Sequence, residues 1–140
     1  MKKLLSVLLL LSLILSSAVA EAPDPIVGTW YAYMEIKGSV FESSFPDADR
    51  LFAIVTFDEA GKLFYAEIAY KGDTGEANKP AVMGEWNRNG SEYTVSFLLT
   101  GTDRAFIEND RLYLAIFTPG VYFGFNRMIP FDVYSQIRTK

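Results

Sequence analysis

The chain has 140 residues, half of them apolar, and carries 13 Lys and Arg against 17 Asp and Glu, for a net charge of −4. It has no cysteine and no histidine, which excludes disulfides, thiolate nucleophiles, Ser-His-Asp and Cys-His catalysis, and thiolate or imidazole zinc ligation. The acidic balance argues against nucleic acid or an anionic membrane as a partner held by general electrostatics.

The chain opens with Met1-Lys2-Lys3, an apolar run over 4–17 and the small residues Ala18-Val19-Ala20. A basic start, an apolar stretch and a small-residue site read as a secretory signal cleaved after Ala20. The run is shorter than the about 20 residues a membrane span needs, and no cysteine is present to carry a lipid. The expectation is a signal peptide over 1–20 and a single domain over 21–140. The product would be exported to the periplasm or the extracellular medium, with no membrane insertion after cleavage.

Residues 21–25 hold two prolines and two acids and form an exposed leader. Over 27–37, Trp30, Ala32, Met34 and Ile36 alternate with Thr29, Tyr31, Tyr33, Glu35 and Lys37, as in a strand with one buried face. Residues 39–50 lack a period and contain Pro46, Asp47 and Asp49, so they read as a loop, made unusually apolar by Val40, Phe41 and Phe45. Residues 51–57 are apolar on both parities and predict a well-covered strand. The turn at 58–61 leads into 62–71, where Phe64, Ala66, Ile68 and Tyr70 alternate with Tyr65, Glu67 and Lys71 and read as the inward set. The polar stretch 72–80 predicts a mobile loop.

The clearest hairpin spans 82–99. Val82, Gly84 and Trp86 share one face of its first strand, and Tyr93, Val95, Phe97 and Leu99 share one face of its second. Asn89-Gly90 suits a type I′ turn between them. Further strands follow over 104–108 and 111–117, the latter with Leu112, Leu114 and Ile116 inward, and turns are marked by Asn109-Asp110 and Thr118-Pro119-Gly120. Val121, Phe123, Phe125 and Arg127 then share a face, and 131–137 reads equally as strand or short helix. No sustained helical period occurs, and strands recur about every 8 to 12 residues, the pattern of an all-β antiparallel meander, barrel or sandwich.

Gly28-Thr29-Trp30, the T-F-D-E-A-G-K-L-F-Y stretch, Gly84-Glu85-Trp86 leading into N-G-S-E-Y-T-V, then E-N-D-R-L-Y-L and Y-F-G-F-N-R together resemble the small lipocalin-like domains of the calycin group, here in an exported prokaryotic protein. The resemblance implies an up-and-down barrel of about eight strands and, from larger relatives, binding of small apolar molecules. It also implies a first-strand tryptophan closing one barrel end under a late-strand arginine. Trp30 matches the tryptophan and Arg127 is the candidate arginine, with Trp86 as a second structural ring.

Trp30 and Trp86 read as core rather than as a stacking site. Asn89-Gly90-Ser91 matches a glycosylation acceptor, but turn geometry already accounts for it. Asp47, Asp49, Asp58 and Glu59 lack the ligand spacing and glycine of a calcium loop. Glu67, Glu85 and Glu92 fall on outward-reading positions with nothing to pair them for acid-base work. The expectation is therefore a non-enzymatic protein with no catalytic residue, cofactor or metal. The large inward side chains leave room only for a small pocket at one rim, for which Phe41, Phe45 and Tyr70 are the candidate lining, with a small apolar or aromatic molecule as partner. The alternative is an interaction or inhibitor module acting through loops and the outward tyrosines Tyr31, Tyr33, Tyr65 and Tyr113.

Overall fold

The computed structural model describes residues 21–34, 45, 47–72 and 74–128. The 1–20 segment expected to be a signal, Ile36, Phe41 and the 131–137 segment lie outside the described residues. Nine strands follow in order: β1 (Gly28–Met34), β2 (Arg50–Phe57), β3 (Lys62–Lys71), β4 (Thr74–Ala77), β5 (Ala81–Asn89), β6 (Glu92–Phe97), β7 (Gly101–Glu108), β8 (Arg111–Thr118) and β9 (Val121–Phe125). They form one antiparallel meander in which β4 and β5 both pair with β3. The sheet curls into a nearly closed barrel, because Tyr31 of β1 exchanges both backbone hydrogen bonds with Asn126 just beyond β9, at 2.7 and 2.8 Å.

The even positions of β1 are inward as their alternation predicts, with Trp30, Ala32 and Met34 all buried. Across β2 they pair with Val55, Ala53 and Leu51, and β2 is covered on both faces: Phe52, of the opposite parity, is also fully buried, with Tyr33 and Tyr70 edge-on against it. The inward parity of β3 is the reverse of the expected one. Leu63, Tyr65, Glu67 and Ala69 pair with the inward residues of β2, while Phe64, Ala66, Ile68 and Tyr70 face out. The polar ends of the inward set satisfy each other, Tyr65 donating to Glu67 at 2.8 Å, so two side chains that read as solvent-facing fit a buried wall. Part of the outward apolar set lines a shallow hollow with Ala77, Asn78 and Pro80.

Other departures are local. The 72–80 stretch is not wholly loop, since Thr74–Ala77 forms β4 and Asn78 continues the pairing with the backbone of Glu67. A register shift between Leu63 and Phe64 gives β5 one extra residue, Met83, which packs on the core and sends Val82 outward. Strand β6 ends at Phe97, so Leu99 lies in the following turn rather than on an inward face. A second shift, between Leu114 and Thr118, lets Phe117 as well as Ile116 pack on the core.

Turn chemistry is redistributed. Asn89 and Glu92 pair, leaving Gly90 and Ser91 as the two-residue loop, and only Gly90 is left-handed, with φ 67°. That is the demand of a type II′ turn, not of the expected I′. The I′ signature, two successive positive φ angles, occurs instead at Asn109 (50°) and Asp110 (60°) between β7 and β8. The two Gly-x-Trp triplets likewise serve different ends. Gly28 has φ 115° and leaves room for Arg127, whose Nη1 would lie 2.7 Å from an added Cβ; Gly84 is needed because a Cβ would come within 2.3 Å of the Ser96 carbonyl oxygen.

One end of the barrel is sealed by large side chains. The Trp30 ring is buried, its Nε1 donates to the Ile26 carbonyl at 2.9 Å, and the Arg127 guanidinium carbon lies 3.7 Å from the ring centroid. Arg127 also donates to the carbonyls of Val27 and Pro25, so the guanidinium has a ring beneath it and main-chain oxygens at its edge while the residue stays exposed to solvent. Trp86 is half-buried, donates to the Asp58 carbonyl at 3.0 Å and meets Phe57 and Tyr93 edge-on. Asp24 clasps the leader to the β5–β6 hairpin by accepting from Tyr93 (2.7 Å), Arg88 (3.0 Å) and the Ile26 amide (3.1 Å). Burial would raise the Asp24 pKa, but these three donors outweigh it and hold the carboxyl below its ordinary value. Burial and the facing Asp24 charge push the Tyr93 hydroxyl up to about 12.

Three stability outcomes are expected in chemical denaturation. Trp30→Ala should cost about 3 to 5 kcal/mol, as for other large core truncations. Gly84→Ala should cost about 3 kcal/mol through the clash with backbone, whereas Gly90→Ala, which meets open space, should cost only the left-handed penalty of about 1 kcal/mol; equal losses at the two glycines would refute the crowding argument. Asp24→Asn should cost about 1 to 2 kcal/mol at neutral pH. Because the folded-state pKa of Asp24 is depressed, its contribution is full above about pH 5 and fades as pH falls through the carboxylate range, so wild type and Asp24→Asn should converge in acid.

Candidate functional site

The opposite end of the barrel is built differently. Successive inward rungs across β1, β2 and β3 read Trp30-Val55-Tyr65, then Ala32-Ala53-Glu67, then Met34-Leu51-Ala69. Side chains are small on this side of the mouth because alanine holds three of the six places in the two upper rungs, at Ala32, Ala53 and Ala69. Strand β4 extends the wall there, with Glu76 paired to Ala69 and Thr74 paired to Lys71 on the same face. Phe45 and residues 47–49 lie at this end, tied to β3 by the Asp49 amide on the Tyr70 carbonyl at 2.8 Å, with Phe45 and Ala48 packed on the core.

A pocket of about 520 Å³, open to solvent on one side, lies between these parts, lined by Phe45, Ala48 and Ala69 with Asp47, Tyr70, Lys71, Thr74 and Glu76. That volume falls inside the range of about 300 to 1,000 Å³ usual for small-molecule sites. Of the residues expected to line a rim site, Phe45 and Tyr70 border this pocket and Phe41 lies outside the described residues. Strand parity turns the Tyr70 ring to the outer face, where it meets Phe52, lies under Arg50 and fills the space above Gly75. Arg50 is held in turn by the Gly72 carbonyl, and the Gly72 amide donates to Asp49. Packing and hydrogen bonds thus tie Tyr70, Arg50, Gly72 and Asp49 together beside the pocket.

One rung below Ala69, Glu67 is only 6 % exposed. It was expected outward, as was Tyr65; both face in, and Tyr65 stands edge-on to Phe117, which stands edge-on to Phe123. Burial, then the hydrogen bond to Glu67 and its charge, raise the Tyr65 pKa far above its ordinary value, so the phenol keeps its proton and serves as a donor. Chemically, the mouth offers apolar surface from Phe45, Ala48 and Ala69 beside the polar and charged groups of Asp47, Tyr70, Lys71, Thr74 and Glu76. Such a site suits a molecule with an apolar body and a polar end left near water.

The sequence marked Phe45 by its place in an apolar loop. Ala48 and Ala69 carried no signal beyond small size, and Thr74 and Glu76 fell in a stretch read as loop. Among the described residues no group of three or more acidic side chains is placed to hold a metal ion. Trp30, Trp86 and Arg127 lie at the sealed end, away from this pocket, and Asn89 is the last residue of β5, exposed beside its turn. No family model, no curated protein and no solved structure matches the chain.

Proposed function

We propose that the chain is an exported, lipocalin-like binding protein that takes a small apolar or aromatic molecule at the barrel mouth. The observation that carries this reading is the pocket of about 520 Å³ whose lining includes Phe45, Ala48 and Ala69. The kinship is supported by the antiparallel nearly closed barrel and by the Trp30 ring capped at 3.7 Å by Arg127. A binding rather than a catalytic role accords with a sequence that has neither histidine nor cysteine, and export rests on the signal-like 1–20 segment. Enclosure of a long lipid is disfavoured, because Leu112, Leu114, Val95 and Phe125 fill the barrel below the mouth.

The interaction module remains a second reading. It draws on aromatic groups left on the outer face: Tyr33, nearly half exposed, and the stacked pair Phe106 and Tyr113 with Tyr122 beside them.

Titration with N-phenyl-1-naphthylamine, a neutral aromatic dye, tests the site. One saturable site per chain is expected. Ala69→Leu, which adds bulk to the lining, should weaken it at least tenfold while leaving thermal stability unchanged or raised, and Phe45→Ser should weaken it by removing the ring. Absence of saturable binding, or binding indifferent to Ala69→Leu, would leave the interaction module as the better reading.

A further inference from the structure

Two neighbouring turns at the mouth end differ in kind from the turns at the sealed end. At the sealed end they are charged: Asp58-Glu59-Ala60-Gly61, the Gly90-Ser91 loop flanked by Arg88 and Glu92, and Asn109-Asp110 between Glu108 and Arg111. At the mouth end, the β6–β7 turn reads Leu98-Leu99-Thr100-Gly101 and the β8–β9 turn reads Thr118-Pro119-Gly120-Val121, with no charge in either. Leu98 is 68 % exposed, Leu99 88 % and Val121 49 %. Exposed turns ordinarily take Gly, Asn, Asp, Ser or Pro, each for a backbone reason. Two successive leucines at a hairpin tip have no such reason, and because most of their apolar surface stays in water they add little to folding stability.

The two tips are also held together. Asp103, two residues inside β7, accepts from the Gly120 amide at 2.8 Å and from the Tyr122 hydroxyl at 2.7 Å. Those donors, the tyrosine foremost, keep its carboxyl below its ordinary pKa and hence charged at neutral pH. Ser96 and Thr102 bond across the base of the first tip at 3.0 Å. The apolar points are therefore displayed on a fixed base.

We propose that these paired tips are an interfacial anchor that seats the mouth end of the barrel on a neutral lipid bilayer. Adjacent residues at a turn project in divergent directions, and a fluid apolar layer accepts both where a shaped protein pocket accepts one. The lack of charge in the tips matches a zwitterionic surface and gives no handle for an anionic one. Contact is confined to the two tips, because the far side of the mouth carries Asp47, Lys71 and Glu76 and the outer strand faces carry Lys62, Glu85, Arg104 and Arg111. The anchor is independent of the dye pocket, whose residues it does not share.

Sedimentation with sucrose-loaded phosphatidylcholine vesicles tests it. Wild type and a Leu98→Ser/Leu99→Ser double variant are expressed as the full chain and purified in the same N-terminal form. Wild type should cosediment with millimolar lipid, and the double variant should lose at least tenfold in partitioning, equivalent to about 1.4 kcal/mol. Its circular dichroism, melting temperature and dye binding should be unchanged, so failure of the anchor and failure of the pocket are read separately. The proposal is overturned by no wild-type cosedimentation, by equal cosedimentation of the variant, or by binding that requires phosphatidylglycerol. It is also overturned if ultracentrifugation shows a wild-type dimer that the variant abolishes, since the tips would then serve a second copy of the chain.

Discussion

The fold depends on a closure made at one residue pair. Tyr31 and Asn126 exchange two backbone hydrogen bonds, and one residue further on Arg127 lies over Trp30 and binds the carbonyls of the chain that leads into β1. A meander of this length has two free edges until that contact forms, and free edges invite pairing with other chains. With no cysteine in the sequence, no covalent staple supports the joint. Its strength comes from stacking a cation on a buried ring and from satisfying the guanidinium with main-chain oxygens, which also fixes the leader against the barrel floor.

From that joint, the wall formed by β1, β2 and β3 thins towards the mouth: Trp30, Val55 and Tyr65 make its lower rung and alanine holds half the places in the two rungs above, while Phe97, Ile116, Phe117 and Phe123 keep the other side of the barrel packed. An eight-stranded barrel has little room to spare inside, so the choice between large and small residues along each strand decides where space exists. Here the space lies at the mouth, beside Phe45, Asp47 and Ala48. The buried Tyr65–Glu67 pair sits at the boundary between the two regimes, where a polar pair is admissible because each partner satisfies the other.

Much of the architecture was legible in the alternation of side chains. Trp30, Ala32 and Met34, and likewise Leu112, Leu114 and Ile116, fall inward as their period predicts, since nothing on those strands competes with hydrophobic sorting. Strand β3 was misread because sorting by residue type treats Tyr65 and Glu67 as surface groups. Only the three-dimensional pairing reveals that they neutralise each other's demand for water. The turn at Gly90 was misassigned by one residue because Asn-Gly fits type I′ on sequence, yet register places Asn89 in the ladder opposite Glu92. Thr74–Ala77 escaped notice because its four residues are polar and exposed, and it is a strand only through its pairing with β3. At the mouth, Phe45 stood out by being apolar in a loop, while the alanines that line the pocket are informative only once their neighbours across the sheet are known.

The wall beside β3 is made of two consecutive pieces. β4 covers the upper residues of β3 through a four-residue ladder and β5 covers the lower ones, with residues 78–80 bridging between them. Cooperative units in a folded chain are bounded where such ladders are interrupted. The flap formed by β4 can therefore detach by breaking its own short ladder while the closed hoop of the other strands stays intact. Backbone amides of β4 should accordingly exchange with solvent by subglobal opening, on a faster clock than those of β2 or β6, and the mouth would be the least cooperative part of an otherwise unitary barrel.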